Sequence, residues 1–214
     1  SDSFEGELSA EITGAVDEDA LGSYTLTYNA SDTTGNAATS VTRTVHVVDL
    51  TPPVITLNGE ATLEHEVGTV YTDAGATALD NVDSTVSVTT SGTVDETVPG
   101  SYTLTYTASD AAGNAATALT RTVLVSDTIA PVITLVGDAS VNHEAGTTYT
   151  DAGANATDSF DGAVTVTTSG TVDANTPGSY TLTYTASDAA GNAATALTRT
   201  VLVSDTIAPV ITLV

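Results

Sequence analysis

The chain has 214 residues, 27 of them acidic against three basic and no lysine, for a formal net charge of −24. So little Lys and Arg excludes a phosphate backbone as partner, and an anionic bilayer would repel this surface. Cysteine, methionine and tryptophan are absent, which excludes disulfides and thiolate metal sites. No apolar run approaches the ~20 residues of a membrane helix, so no direct membrane insertion is expected.

The sequence repeats at a fixed period. Gly22 to Tyr28, GSYTLTY, recurs at Gly100 to Tyr106 and at Gly178 to Tyr184, a step of 78 residues each time. Pro53, Pro131 and Pro209 keep the same step, as do Arg43, Arg121 and Arg199. The expected organisation is the C-terminal part of a repeat at 1–50, complete repeats at 51–128 and 129–206, and the first strand of another at 207–214, all read as a window on a longer chain. An array performs each residue's task once per repeat. No nucleophile, base and orienting acid occur together, so no enzyme is expected.

Within 51–128, Val54 to Leu57 reads as a short strand entering after Pro53. Ala61 to Tyr71 predicts one or two more, broken at Gly68, and Thr85 to Thr90 another. Alternation is clear in the next segment, where Tyr102, Leu104, Tyr106 and Ala108 share one face and Thr103, Thr105 and Thr107 the other. Leu119 to Val125 is the last strand, with Val123 and Val125 inward. Arg121 shares their parity, so its stem covers the rim of the core while its head pairs with a neighbouring acid. Asn58-Gly59, Ser91-Gly92, Pro99-Gly100 and Gly113-Asn114 supply turns. Some seven short strands and no helical periodicity predict an all-β fold, tandem antiparallel β-sandwiches of immunoglobulin-like type in a linear array.

The strings PPVITL, YTDAGATALDNVDS and PGSYTLTYTASDAAGNAATALTRTVLVSD resemble the tandem bacterial immunoglobulin-like domains, close to hyalin-type repeats, of large surface adhesins. The resemblance covers every position. It implies an extracellular stalk on a bacterial surface or in a secreted filament, often stiffened by calcium, and it names no adhesive ligand.

The last strand of a repeat runs into the linker, so the loop before that strand is expected at the opposite end, beside the incoming linker. That loop holds Asp110 and Asn114. The segment DAGATALDNVDS, read as a loop with Asp73, Asp80, Asn81 and Asp83, is expected at the same end, and Asp49 lies in the linker. One repeat later the set is Asp127, Asp151, Asp158, Asp161, Asp188 and Asn192, and in the first copy Asp2, Glu5, Asp32 and Asn36. Oxygens so placed would repel unless a hard cation sat among them, and calcium is the expected cofactor because it accepts six to eight oxygens in irregular geometry. Turn preference alone also favours Asp, Asn and Gly in loops. His65 and His143 read as partly exposed strand residues, His46 as exposed, and Phe4 and Phe160 as core.

Function is therefore expected to be that of a spacer, with neighbouring repeats of the same chain as partners. Two alternatives stand beside it: a multivalent glycan- or protein-binding module, and a filament subunit whose Ile207 to Val214 strand adds end to end to another copy.

Overall fold

A computed structural model describes all residues except 2, 5 and 212–214. Every regular element among the described residues is a strand, and no helix is long and apolar enough to cross a membrane. The first copy carries β1 (Glu11–Thr13), β2 (Gly22–Asn29) and β3 (Val41–Val47). The middle repeat carries β4 (Val54–Leu57), β5 (Thr62–Glu66), β6 (Ala76–Leu79), β7 (Val88–Ser91), β8 (Gly100–Ala108) and β9 (Leu119–Ser126). The third carries β10 (Val132–Leu135), β11 (Ser140–Glu144), β12 (Ala154–Asp158), β13 (Gly162–Val164), β14 (Val166–Ser169), β15 (Gly178–Ala186) and β16 (Leu197–Ser204). Two compact units divide the chain: Ser1–Glu60 with Ala74–Ser91 and Thr105–Thr120, and Ala61–Asp73 with Gly92–Leu104 and all from Arg121 onward.

The second unit contains the whole third repeat, a two-sheet sandwich. One sheet has the order β10-β12-β13 and the other β11-β16-β15-β14. Alternation builds the core between them: Leu182, Tyr184 and Ala186 of β15 turn inward against Ile133 of β10 and Ala156 of β12. The intervening threonines of β15 stay at or near the surface, and each buried Leu- or Tyr-sized side chain contributes roughly 1.5–3 kcal/mol. β11 runs parallel to β16, Ser140 opposite Thr200 through Glu144 opposite Ser204, because the chain leaves the first sheet after β10 and joins the second beside its last strand. In the middle repeat β5 pairs with β9 in the same parallel register, Thr62 with Thr122 through Glu66 with Ser126. These are departures from an antiparallel ladder in a sandwich that is otherwise antiparallel.

In the first unit β1-β2-β3 form an antiparallel sheet, β4 pairs with β6, and β7 pairs with the end of β8. Two segments differ from expectation there. The strand expected at Thr85 to Thr90 begins only at Val88, with Val86 making a lone bridge to Ala78. The segment DAGATALD is no single loop, since Ala76–Leu79 is β6. Four of the eight residues in this stretch are Ala or Gly, which hides the strand from a reading based on β-branched composition.

Arg199 lies on the inward face of β16 with Val201 and Val203 and is 1% exposed. Its guanidinium donates from Nε to the Asp138 carbonyl (2.9 Å), from Nη2 to the carbonyls of Val136 (2.5 Å) and Gly153 (3.3 Å), and from Nη1 to the Asp151 carboxylate. Tyr184 donates its hydroxyl to the same carboxylate at 2.8 Å. Arg121 pairs with Asp73 in the same way. The arginine is thus the core's polar plug rather than a rim cover, and its buried charge is tolerated because its donors are occupied.

The phenylalanines are not core. Phe4 is 96% exposed and Phe160 42%. Phe160 follows β12 in the turn to β13, after the chain has left the packed face, and lines a groove of about 380 Å³ with Pro99, Asp127 and Asp161. His65 and His143 sit at strand ends, each with Nε2 against the carbonyl of Thr69 or Thr147 and its ring edge-on to Tyr71 or Tyr149. His46 bonds Ser23 through Nδ1 at 2.8 Å.

Candidate metal centre

Each centre starts from a linker aspartate that the chain buries. Asp127 follows β9 directly, and its Oδ1 accepts from the Ile129 amide at 3.2 Å, turning the linker back on itself. The loop D-A-A-G-N closes beside it. Asp188 Oδ1 accepts from the amides of Gly191 and Asn192, both at 2.7 Å, and Oδ2 from Asn192 Nδ2 at 2.8 Å. The same Asn192 Nδ2 donates to the Asp127 carbonyl at 3.1 Å. Both partners are acceptors, so this orientation of the amide is the one the chemistry requires. Gly191 holds φ +98°, a left-handed conformation that β-carbon-bearing residues avoid.

Asp158 ends β12. Its Oδ1 accepts from the amides of Phe160 (2.7 Å) and Asp161 (3.0 Å), while Asp161 Oδ2 accepts from the Ala189 amide at 2.7 Å. The result brings ligand atoms of Asp127, Asp158 and Asp188 within 4.8 Å of one another. All three are over nine-tenths buried, and Asp127 Oδ2 and Asp158 Oδ2 have no hydrogen-bond partner among the described residues. Burial, then the charges of Asp158, Asp188 and Glu66, push the Asp127 carboxyl above its usual range. For Asp188 burial acts upward too, but the bonds from Asn192 and Gly191 hold it below.

The first unit repeats the arrangement. Asp49, Asp80 and Asp83 bring ligand atoms within 4.8 Å. Asp80 Oδ1 accepts from the amides of Val82 and Asp83, and these bonds lower its pKa. Asp49 Oδ2 and Asp80 Oδ2 are buried without hydrogen-bond partners among the described residues. Asn114 Nδ2 donates to Asp110 Oδ2 (2.7 Å) and to the Asp49 carbonyl (3.2 Å), and the Ala111 amide to Asp83 Oδ2 (2.6 Å).

The remaining sequence candidates divide by position. Neither Asp73 nor Asp151 is a member of these groups, and in the third repeat strand β12 separates Asp151 from Asp158. Seven residues of largely extended chain span roughly 20 Å, and each carboxylate is instead tied to a buried arginine. Asp110 and Asp161 border the groups through the bonds above. Asn114 and Asn192 hold linker carbonyls. Asp32 and Asn36 form the same closed loop in the first copy, with Asn36 N to Asp32 Oδ1 at 2.7 Å. Asp2 and Glu5 lie outside the described residues. One residue the sequence reading passed over is Glu66, whose Oε2 accepts from the Thr128 amide at 3.0 Å and from the Thr128 hydroxyl; its signal was a glutamate at both 66 and 144, one repeat apart.

The fold and these linker-borne acidic groups define a class: tandem immunoglobulin-like β-sandwiches with polar linkers. The chain belongs to the family described as bacterial surface protein, Ig-like domain, which it matches over residues 3–47, 55–125 and 133–203. It is 32% identical over 212 residues to an 81.3 kDa protein of Acholeplasma phage L2, covering 89% of this chain and 28% of that one. It is likewise 32% identical to hyalin of Strongylocentrotus purpuratus, covering 90% of this chain and 17% of hyalin. The chain thus spans little more than a quarter, or less, of these relatives. Internalin I of Listeria monocytogenes is 30% identical over 129 residues, 58% of this chain and 7% of internalin I. Among solved structures, a lipoprotein of Bacteroides thetaiotaomicron is 34% identical over 37% of this chain and 40% of its own, with a TM-score of 0.33.

Proposed function

We propose that these repeats are spacer segments of an extracellular bacterial surface protein, joined through calcium ions held where one repeat passes to the next. The observation that carries this reading is the three buried aspartates at 127, 158 and 188, two of them with an oxygen that no described residue satisfies. Leaving buried carboxylate oxygens unpaired is costly. All three arginines are occupied elsewhere, Arg121 and Arg199 with Asp73 and Asp151 and Arg43 over the Tyr28 ring, so the neutralising charge must come from outside. Calcium binds oxygens at 2.3–2.6 Å, which lets two of its ligands stand up to about 5 Å apart, a spread that the shorter bonds of magnesium do not reach.

A cation there ties the linker to two loops of the following repeat and removes one source of bending. Small-angle scattering and melting of the chain in calcium and in chelator test this. A lower melting temperature and a changed maximum dimension in chelator support the reading, and identical values in both contradict it.

A second reading, weak ligand binding multiplied along the array, draws on the exposed Phe160 ring and its groove. Binding to a glycan array that is lost in Phe160→Ala would favour it over the spacer.

A further inference from the structure

The acids around Asp127 do not end with the three aspartates. Glu66 closes β5, which runs parallel to β9 with Glu66 opposite Ser126, and the Val67 amide donates to the Ser126 carbonyl at 3.0 Å. Parallel register delivers the two chain segments to the same end of the sheet together, so Glu66 and the linker residues Asp127 and Thr128 emerge side by side. Glu66 then divides its two oxygens. Oε2 takes both donors of Thr128. Oε1 is buried and has no hydrogen-bond partner among the described residues. Glu144, one repeat later, clamps Thr206 with both oxygens, at 2.9 and 3.2 Å from the Thr206 amide. The clamp therefore does not oblige a glutamate to leave an oxygen bare, and the Glu66 clamp falls on Thr128, the residue next to Asp127.

We infer that Glu66 is a fourth carboxylate of the centre around Asp127, its Oε1 binding the cation while its Oε2 holds the linker. This rests on the calcium reading above and deepens it. The three aspartates alone connect the linker to the repeat that follows. With Glu66, the ion also grips the repeat that precedes, so it crosslinks strand β5 to the end of β12 and to the DAAGN loop. A four-carboxylate centre suits a dication surrounded by neutral carbonyls and water, and charge count is one of the levers that sets calcium affinity.

Calcium chloride titration of the full chain, paired with melting in calcium and in chelator, decides the matter on Glu66→Gln and Thr128→Val. Glu66→Gln keeps the shape and removes the charge. It should weaken calcium at one of the two centres about tenfold or more, a loss that even outer-shell partners of a metal produce, while the centre at Asp49, Asp80 and Asp83 titrates as before. In chelator the same variant should melt no lower than the unmodified chain, because a repelling charge has gone, and in calcium it should melt lower. Thr128→Val, which loses one clamp donor and no carboxylate, should melt lower in both conditions. The inference is overturned if Glu66→Gln binds calcium unchanged and melts lower by the same amount in both conditions, the behaviour of a clamp alone. No uptake by the unmodified chain would instead overturn the calcium reading, a result seen before any substitution is made.

Discussion

Asn192 reaches back 65 residues to donate from Nδ2 to the backbone carbonyl of Asp127 at 3.1 Å, while its backbone N–H donates to Asp188 Oδ1 at 2.7 Å. One side chain thus fixes both the DAAGN loop and the linker beside it. Asn192→Ala leaves a linker carbonyl and a carboxylate oxygen without their donor, at about 1–3 kcal/mol. Asn192→Asp should be worse, since it places an acceptor against two acceptors. Chemical denaturation of the second unit's transition in both variants checks the order.

Asp158→Asn separates charge from shape. Its Oδ1 can still accept the Phe160 and Asp161 amides, while the unpartnered Oδ2 becomes a neutral amide. The variant should melt higher than the unmodified chain in chelator and gain less from added calcium. Asp188 is a poorer test of the same idea, because its Oδ1 closes the loop on Gly191 and Asn192 and its removal disturbs structure and charge at once.

Arg199→Ala should destabilise the third repeat by about 3–5 kcal/mol, the cost of stranding a buried partner charge, here with the carbonyls of Val136, Gly153 and Asp138 losing their donors as well. Differential scanning calorimetry measures it, and Arg121→Ala should do the same in the middle repeat.

Acid response follows from Asp151. Burial pushes its carboxyl up, but bonds from Tyr184 and Arg199 outweigh that and hold it below the usual 3.8. A depressed folded pKa adds stability above the unfolded value of about 3.9 and loses it as pH falls through the folded one. In chelator, the third repeat should therefore lose stability below about pH 4, and Asp151→Asn should flatten that limb while being less stable at pH 7. Asp127 has the opposite sign. Its raised pKa means that protonation relieves strain as pH drops toward that range, so mild acid without calcium should stabilise the Asp127 region before the Asp151 limb takes over.

Gly170 has φ +95°, and a β-carbon there would meet the Thr181 carbonyl oxygen at 2.3 Å. Gly170→Ala should cost more than the roughly 1 kcal/mol separating the two residues in ordinary positions, since backbone cannot yield as a side chain would. Equilibrium unfolding reads the difference.

Much of this was legible in the sequence. The period placed the strands, and the alternation of Tyr102, Leu104, Tyr106 and Ala108 identified the inward face. Arg121 was assigned an acid from parity alone, though the depth of its burial depended on the Asp73 carboxylate and was not. The acids were harder. Asp151 and Asp158 look like members of one loop when the short segment between them is read as turn-like, yet strand β12 runs between them and Asp151 is tied to Arg199 instead. Glu66 was missed for the converse reason. It is distant from the linker in sequence, and only the parallel register of β5 on β9 puts it beside Thr128. Phe160 shows that periodic recurrence of an aromatic does not place it inside when its position falls in a turn.

The most direct measurement is calorimetric titration of calcium into the unmodified chain and into the Asp127→Asn, Asp158→Asn double variant. The two described groups predict about two ions per chain, bound in the 10⁻⁴ to 10⁻³ M range of extracellular modules, with the double variant losing one of them. No uptake, or uptake that the double variant leaves unchanged in number and affinity, would contradict the account.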